Sequence, residues 1–217
     1  MSRNIVVVDY GIGNVFSVCN ALKKVAADPD LTRDCEKIKC ADRLILPGVG
    51  AFGRAMDALR EYGLDEALYR YVDTGRPLLG ICLGMQMLMD VSFEFGEHRG
   101  LGFISGKVQK IPAISSEGVP LRIPHISWTT VSKSEAVSDS KWQQSVLCND
   151  NGRLESCFYF VHSFMAVPEN SAHIFAESSY GGNSITAAVQ RDNITGVQFH
   201  PERSGPAGLA LLSRFVS

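Results

Sequence analysis

The stretch of sequence that decides the fold reads Arg76-Pro77-Leu78-Leu79-Gly80-Ile81-Cys82-Leu83-Gly84-Met85-Gln86. An uninterrupted apolar run enters the pattern Gly-x-Cys-x-Gly, and helix-forming residues follow at once from Met85 to Met89. This order predicts a buried strand, a sharp turn and a helix. Cys82 falls in the turn, at the carboxyl end of the strand and the amino end of the helix.

Cys82 is the candidate nucleophile. Unpaired amides and the helix dipole at this position favour a thiolate over a thiol. Gly80 and Gly84 leave room for a strained backbone and for the close approach of neighbouring elements, as in the nucleophile elbow of serine hydrolases. Taken alone, the same pattern also fits a small cysteine buried in the core.

Composition narrows the class of protein. The chain has 217 residues, a net charge of −2 and scattered basic side chains. We therefore expect one domain over residues 1–217, with neither nucleic acid nor a membrane surface as its partner. No apolar run approaches the roughly 18 residues of a membrane span, and Ile5 to Val8 is too short for a signal peptide. These features predict a cytoplasmic protein.

The six cysteines show neither a CxxC pair nor zinc-like spacing. Without a secretion signal, their even number does not indicate disulfides. We expect no metal site.

The first half of the chain alternates strands and helices. Buried strands are predicted at Asn4 to Asp9 and at Arg43 to Leu46, with a helix from Val15 and one short strand around Lys37 to Cys40. Two further helices are predicted at residues 54–62 and 64–73. The pattern indicates an α/β fold with a parallel sheet covered on both faces.

Both early strands run into glycine-containing loops. Gly11 and Gly13 resemble part of a dinucleotide-binding motif, but the third glycine is missing, which disfavours an NAD site. The loop Pro47 to Gly53 contains three glycines and can present backbone amides to a ligand. It can equally be a plain turn from strand to helix.

The second half is predicted to be mostly β. Short apolar runs are separated by Gly, Ser and Pro, and they lie at residues 101–104, 119–123, 158–162, 172–177 and 187–190. Residues 133–152 are polar and predict an exposed excursion. A final buried strand, Ile194 to Phe199, precedes a closing helix from Gly205, with Leu209, Leu212 and either Phe215 or Val216 predicted to face inward.

A cysteine nucleophile needs a base, and the base needs an orienting carboxylate. Among the five histidines, only His200 follows a buried strand with a carboxylate, Glu202, two residues on. The carboxyl edge of a parallel sheet is where α/β folds assemble their sites, so His200 and Glu202 are expected beside Cys82. An ordinary histidine at a strand end remains the alternative.

Two motifs in this order, Gly80 to Gln86 and Phe199-His200-Pro201-Glu202, resemble the triad-type (class I) glutamine amidotransferases. Further segments resemble the glutaminase subunits of imidazole glycerol phosphate synthases over nearly the whole chain, and they lie at residues 7–18, 46–53, 123–125, 159–163 and 198–204. The resemblance implies a flavodoxin-like three-layer domain, with a mostly parallel central sheet and added antiparallel strands in the C-terminal half.

The resemblance also implies a role for each matching position. Cys82, His200 and Glu202 would form the triad, and the oxyanion would be bound by Val49, Gly50 and Leu83. Glutamine would be held by Gln86, Glu94, His162 and Ser163. No cofactor would be required. The partner implied is a (β/α)8-barrel cyclase or synthase subunit in a heterodimer, and loops expected at the same sheet edge suggest a docking face of Asn14, His125, Trp128 and Arg203.

One segment departs from the family pattern. Where the family usually has Pro-His-Met-Gly-Trp-Asn, this chain has Ser127 in place of glycine and Thr129 in place of asparagine. Paralogues that supply ammonia for amidino-sugar formation in surface polysaccharide pathways therefore remain an alternative. Two further alternatives are a thiol hydrolase of the same fold and an inactive amidotransferase that serves as an assembly subunit.

Overall fold

The computed structural model describes residues 3–148 and 155–217 of the chain. Seven α-helices and thirteen strands lie within these ranges. The strands are β1 Ile5–Val8, β2 Pro29–Thr32, β3 Arg43–Gly48, β4 Leu78–Cys82, β5 Val91–Ser92, β6 His98–Arg99, β7 Gly106–Lys110, β8 His125–Lys133, β9 Glu155–His162, β10 Phe164–Pro168, β11 Ile174–Tyr180, β12 Asn183–Arg191 and β13 Ile194–Val197. The helices are α1 Val15–Lys24, α2 Cys35–Cys40, α3 Phe52–Glu61, α4 Leu64–Val72, α5 Leu83–Met87, α6 Asp139–Gln143 and α7 Gly205–Val216.

The main sheet has nine strands in the order β2-β1-β3-β4-β13-β12-β11-β8-β9. The first five are mutually parallel. Their order corresponds to the 2-1-3-4-5 arrangement of flavodoxin-like folds, in which ligands bind beyond the carboxyl ends of the strands. The expected flavodoxin-like architecture is therefore confirmed.

Helices cover both faces of the parallel part because its strands are apolar on both sides. In β1, Val6 and Val8 pack into one core with α2 to α5, while Ile5 and Val7 pack into the other with α1 and α7. Successive side chains of a strand point to opposite faces, so a continuous run of buried valines and isoleucines produces three layers.

The antiparallel strands β12, β11, β8 and β9 extend the sheet beyond β13. Although β9 is last in the sheet order, the backbone N–H of His200 donates to Tyr159 O of β9 at 2.9 Å. This half of the sheet therefore curls back and brings β9 beside the segment that follows β13. A second sheet, in the order β10-β7-β5-β6, lies alongside.

Several predictions for individual segments were wrong. Residues 35–40 form helix α2 rather than a strand, because Asp34 caps it by accepting from the backbone N–H groups of Glu36 and Lys37. The strand of this region is β2. Residues 101–104 and 119–123 form no named strand, although Pro120 makes an isolated bridge to Ile114.

The excursion predicted at residues 133–152 is only partly exposed. Trp142 of α6 is 2 % exposed and stacks on Phe175, with ring centroids 5.5 Å apart, and Leu147 is also buried. The prediction missed these two buried apolar side chains because the rest of the segment is polar. Residues 149–152 of the excursion lie outside the described residues.

In the closing helix α7, Leu212 and Phe215 are buried as expected, whereas Leu209 is only partly buried and Leu211 takes the inward position. Within the described ranges, no helix is long and apolar enough to cross a membrane.

Candidate active site

Cys82 occupies the predicted elbow between β4 and α5. Its backbone has φ 54° and ψ −109°, a conformation that a residue with a side chain rarely adopts and that concentrates at functional sites. A Cβ on Gly84 would overlap the carbonyl of Leu46, and one on Gly80 would lie 2.9 Å from the backbone of Gly84. Glycine is therefore required on both sides of Cys82, because β3, β4 and α5 approach too closely for a side chain.

His200 and Glu202 follow β13, the strand that pairs with β4. His200 Nδ1 lies 2.8 Å from Glu202 Oε1, and the two side chains are 4 % and 2 % exposed. The other ring nitrogen, Nε2, is buried, and among the described residues only Cys82 is near enough to interact with it. Glu202 therefore fixes the ring and leaves Nε2 available to a reacting group.

The charge of His200 is set by its neighbours. Burial lowers the pKa of His200, but hydrogen bonding and charge at Cys82 and Glu202 outweigh this effect and raise the pKa to about 10. The imidazole is therefore held as an imidazolium beside the sulfur at neutral pH. This is the pairing that a cysteine nucleophile and its acid-base partner require.

Gln198 is a residue of the site to which the sequence analysis assigned no role. Its Nε2 donates to Cys82 Sγ at 3.7 Å, and its Oε1 accepts from Gln86 Nε2 at 3.0 Å. The sequence carried one usable signal, since Gln198 is a polar residue just after an apolar strand and two residues before His200. The structure buries it fully, and a buried polar group requires hydrogen-bond partners.

A cavity of about 440 Å³ opens at Cys82. Its size falls in the range usual for small-molecule sites. It brings together most of the residues predicted from the sequence, and its lining comprises Asn14, Val49, Gly50, Cys82, Leu83, Gln86, Glu94, Val161, His162, Ser163, Phe164, His200 and Arg203. Glu202 lies behind His200 and does not line it.

The loop after β3 forms one wall of the cavity. Gly50 has φ +98°, which favours glycine, and it is exposed. The buried Tyr10 hydroxyl donates to Pro47 O at 2.9 Å and so anchors the start of the loop. Burial raises the pKa of Tyr10, with the charge of Cys82 contributing. Tyr10 is therefore a neutral donor beneath the loop, and the sequence analysis gave it no role.

Glu94 reaches the same wall from the loop after β5. Its Oε2 accepts from the backbone N–H of Phe52 at 2.6 Å, at the start of α3. A carboxylate is favourable at the amino end of a helix. Glu94 therefore links the loop after β5 to the first residue of α3, at the end of the glycine-rich loop.

His162 lies on the opposite wall, and its two ring nitrogens are occupied. Nδ1 lies 2.9 Å from Phe164 O, and Nε2 lies 3.1 Å from His125 Nδ1. Burial is the main cause that lowers the pKa of His162 to about 4. His162 is therefore neutral and turned inward, while the adjacent Ser163 also lines the cavity.

The residues predicted for a docking face differ in their exposure to solvent. Trp128 is 55 % exposed beside Tyr159, and the Arg203 guanidinium lies 5.5 Å from the Tyr159 ring centroid. Asn14 is exposed at the cavity rim. His125, in contrast, is 0 % exposed, so its side chain is not on a docking face as predicted. It lies on the inward face of β8, because alternate residues of a strand point to opposite sides.

In the part of the chain that the structure describes, no group of three or more His, Cys, Asp or Glu side chains is placed to hold a metal ion.

Known proteins are similar to this chain in sequence over nearly its whole length. The chain is 42 % identical over 210 residues to imidazole glycerol phosphate synthase subunit HisH 1 of Legionella pneumophila strain Lens, covering 97 % of each. It is 41 % identical over 210 residues to subunit HisH of Geobacillus thermodenitrificans, covering 97 % of this chain and 93 % of that one.

Solved structures agree in fold. A chain in the structure of PurLQS from Thermotoga maritima superimposes with a TM-score of 0.71 at 19 % identity, covering 99 % of this chain and 98 % of that one. The family model described as Glutamine amidotransferase class-I matches residues 6–217. The chain therefore belongs to the class I glutamine amidotransferase family.

Proposed function

We propose that this chain is the glutaminase subunit of an imidazole glycerol phosphate synthase, converting glutamine and water into glutamate and ammonia for histidine biosynthesis. The observation that carries the proposal is the meeting of Cys82 and His200 at one cavity, with Glu202 bonded to His200 Nδ1 behind it, although more than a hundred residues separate Cys82 from the other two. The HisH subunits named above, similar over nearly the full chain, support the assignment to this synthase.

The first half of the reaction is acylation of Cys82. Its Sγ attacks the side-chain amide carbon of glutamine, and negative charge develops on the amide oxygen. The N–H of Leu83, directly after the nucleophile, and an N–H of the Val49-Gly50 segment are the proposed donors to this oxygen. The His200 imidazolium then gives its proton to the departing nitrogen, so that ammonia leaves and a γ-glutamyl thioester remains.

The second half is hydrolysis. His200, now neutral, accepts a proton from water while the water oxygen attacks the thioester carbon. The carbon–sulfur bond breaks, glutamate leaves, and Cys82 and His200 return to their starting protonation states. Glu202 stabilises the imidazolium in both halves, since it stays bonded to Nδ1.

Glutamine would be held by the cavity walls. Gln86 commits its Nε2 hydrogens to Phe164 O and Gln198 Oε1, so its own Oε1 remains as an acceptor for the substrate. Ser163 and Glu94 offer a hydroxyl and a carboxylate at the same cavity. A general thiol hydrolase would not need this polar lining, which is why we favour glutamine.

The ammonia would pass to a second subunit, which we propose to be a (β/α)8-barrel cyclase forming a heterodimer with this chain. Asn14 and Arg203 line the cavity, exposed Trp128 packs beside the Tyr159 ring that Arg203 also contacts, and the three form the proposed docking face. Docking there would cover the cavity and carry ammonia away from solvent.

The loop from Pro47 to Gly50 would make hydrolysis depend on docking. Its glycines allow a peptide plane to rotate at low steric cost, so an oxyanion donor can be withdrawn in the free chain and supplied in the complex. Loss of one such donor lowers kcat by roughly 10²- to 10³-fold. The test compares kcat for glutamine hydrolysis in the isolated chain and in the purified complex with its acceptor.

Rapid glutamate release only in the complex would support the proposal. Equal, fast turnover in both would refute the dependence on docking, and no turnover in either would refute the glutaminase itself.

A second candidate is an amidotransferase subunit for amidino-sugar formation. Ser127 and Thr129, which depart from the usual motif, are the observation in its favour. Copurification identifies the acceptor: imidazole glycerol phosphate made with the copurifying synthase supports the first candidate, and a sugar product supports the second.

A further inference from the structure

The inward face of β8 carries a network of polar contacts that is buried at His125 and partly buried at Ser127 and Thr129. His125 Nε2 lies 2.7 Å from Ser127 Oγ and 3.1 Å from Thr129 Oγ1, and the two hydroxyls lie 2.7 Å apart. His125 Nδ1 meets His162 Nε2 at 3.1 Å. The His125 ring is held by stacking against Phe160 and Tyr180, with centroids at 5.4 and 4.1 Å.

The position of each imidazole proton in this network of polar contacts follows from one group that can only accept a hydrogen bond. The carbonyl of Phe164 can only accept, so His162 Nδ1 carries the proton that is donated to it. A neutral imidazole has one N–H, hence His162 Nε2 is an acceptor and His125 Nδ1 is the donor. His125 Nε2 is then also an acceptor, and among the described residues the hydroxyls of Ser127 and Thr129 are the groups placed to donate to it.

The assumption of neutral rings is supported by their burial. Burial lowers the pKa of His125, and it is the main cause that lowers the pKa of His162 to about 4. Each ring therefore carries one proton at pH 7. Phe164 O selects the Nδ1–H tautomers at the inner end of the network, and the β8 hydroxyls support this choice by donating to His125 Nε2, which would otherwise be left without a donor.

The inner end of this network of polar contacts is Phe164 O, at the cavity wall. Phe164 O accepts from His162 Nδ1 and also from Gln86 Nε2 at 2.9 Å. The tautomer of His162 therefore fixes a carbonyl that in turn orients Gln86, whose side chain lines the cavity at Cys82. Reversing the tautomers would place a lone pair of His162 against the lone pairs of Phe164 O.

We propose that Ser127 and Thr129 are positioning residues for glutamine binding, acting through the His125–His162 pair on the wall formed by Phe164 and Gln86. The inference rests on the proposed glutaminase function. It goes beyond that function because these hydroxyls do not line the cavity and have no part in the proposed reaction.

The test removes both hydroxyls and then restores one. Ser127→Ala with Thr129→Val takes both donors from His125, while Ser127→Ala with Thr129→Ser keeps one. Thr130→Val is the matched control, since Thr130 is exposed on the outward face of the same strand. Glutamine hydrolysis is measured in the complex with the synthase and its acceptor.

Without either hydroxyl, KM for glutamine should rise about five- to tenfold, as expected for a lost hydrogen bond at a buried group, with kcat changed less than twofold. The variant with Thr129→Ser should recover most of this loss, and Thr130→Val should match the unmodified chain. An unchanged KM in the double variant, or no recovery with Thr129→Ser, would overturn the proposal.

A second measurement is independent of activity. In protein labelled with ¹⁵N-histidine, the imidazole signals at pH 7 should report the Nδ1–H tautomer for both His125 and His162, and the His125 signals should shift when both hydroxyls are removed. An Nε2–H tautomer at His125 in the unmodified chain would overturn the assignment. This readout stands even if the chain proves to turn over no glutamine, which would refute only the proposed function.

Discussion

The His200 imidazole and the Glu202 carboxylate form a buried pair whose atoms Nδ1 and Oε1 are 2.8 Å apart. One turn of 3-10 helix, Pro201–Arg203, begins directly after His200 and carries Glu202 back to the ring. The carboxylate thus supports the side of the imidazole that faces away from Cys82. Its second oxygen, Oε2, is buried without a hydrogen-bond partner among the described residues, which makes Glu202 costly to hold unless His200 is charged.

Different losses of activity are expected when each member of this pair is replaced. His200→Asn removes the group that carries the proton and should lower kcat by roughly 10⁶-fold, close to the loss for the nucleophile. Glu202→Gln keeps the shape and only weakens the imidazolium, so its loss should be about 10⁴-fold or less. The measurement is glutamate release in the complex, with circular dichroism to check folding. Equally small effects of both changes would exclude His200 as the acid and base.

Cys82 should be the thiol that reacts with glutamine. Cys82→Ala should abolish glutamate release while leaving the fold and partner binding intact. A glutamine analogue with an electrophilic group should modify Cys82 although Cys40 and Cys157 are more exposed. Mass spectrometry of the labelled chain checks this, with Cys157→Ser as the control variant that should label normally. Labelling at Cys19 or Cys157 with Cys82 untouched would contradict the assignment.

Acid should destabilise the fold through His162. Its pKa is about 4 in the folded chain against an ordinary value of 6.5, with burial as the main cause. Between about pH 6.5 and 4, His162 is protonated in the unfolded chain but stays neutral in the folded chain. The free energy of unfolding therefore falls as the pH drops through this range. The contribution is on the order of 3 kcal/mol.

Urea unfolding between pH 7 and pH 4.5 measures this effect. His162→Asn should show a shallower loss of stability than the unmodified chain, because the variant lacks the titrating group while keeping every carboxylate. The same slope in both proteins would mean that His162 does not control it.

Gly84 should tolerate no side chain. Gly84→Ala forces a Cβ into the Leu46 carbonyl, and we expect a loss of roughly 1–3 kcal/mol in the free energy of unfolding. Gly63→Ala is the comparison, since Gly63 has φ +66° but open space around it, and the backbone strain alone costs about 1 kcal/mol. Chemical denaturation measures the free energy of unfolding of both variants, and the loss should be larger for Gly84→Ala. A larger loss for Gly63→Ala would contradict the close approach of α5 to β3.

Much of the fold follows from local patterns in the sequence. The runs at Ile5–Val8, Arg43–Gly48 and Leu78–Cys82 are apolar without alternation, which is possible only for strands covered on both faces. The elbow at Cys82 also follows locally, because the pattern Gly-x-Cys-x-Gly between a strand and a helix leaves few other conformations. Helix α2 was missed because a six-residue helix with one buried side chain has too little periodicity to recognise.

What the sequence determined by itself is therefore the parallel sheet, the elbow and the candidate triad residues, each of which depends on neighbours within a few positions. Only the tertiary structure decided how β9 returns to the triad, because that contact depends on the curl of four antiparallel strands and on the bond from His200 N–H to Tyr159 O. The same long-range packing buried His125 and turned it toward His162. A strand pattern specifies which residues share a face, but burial of that face depends on which distant strand packs against it.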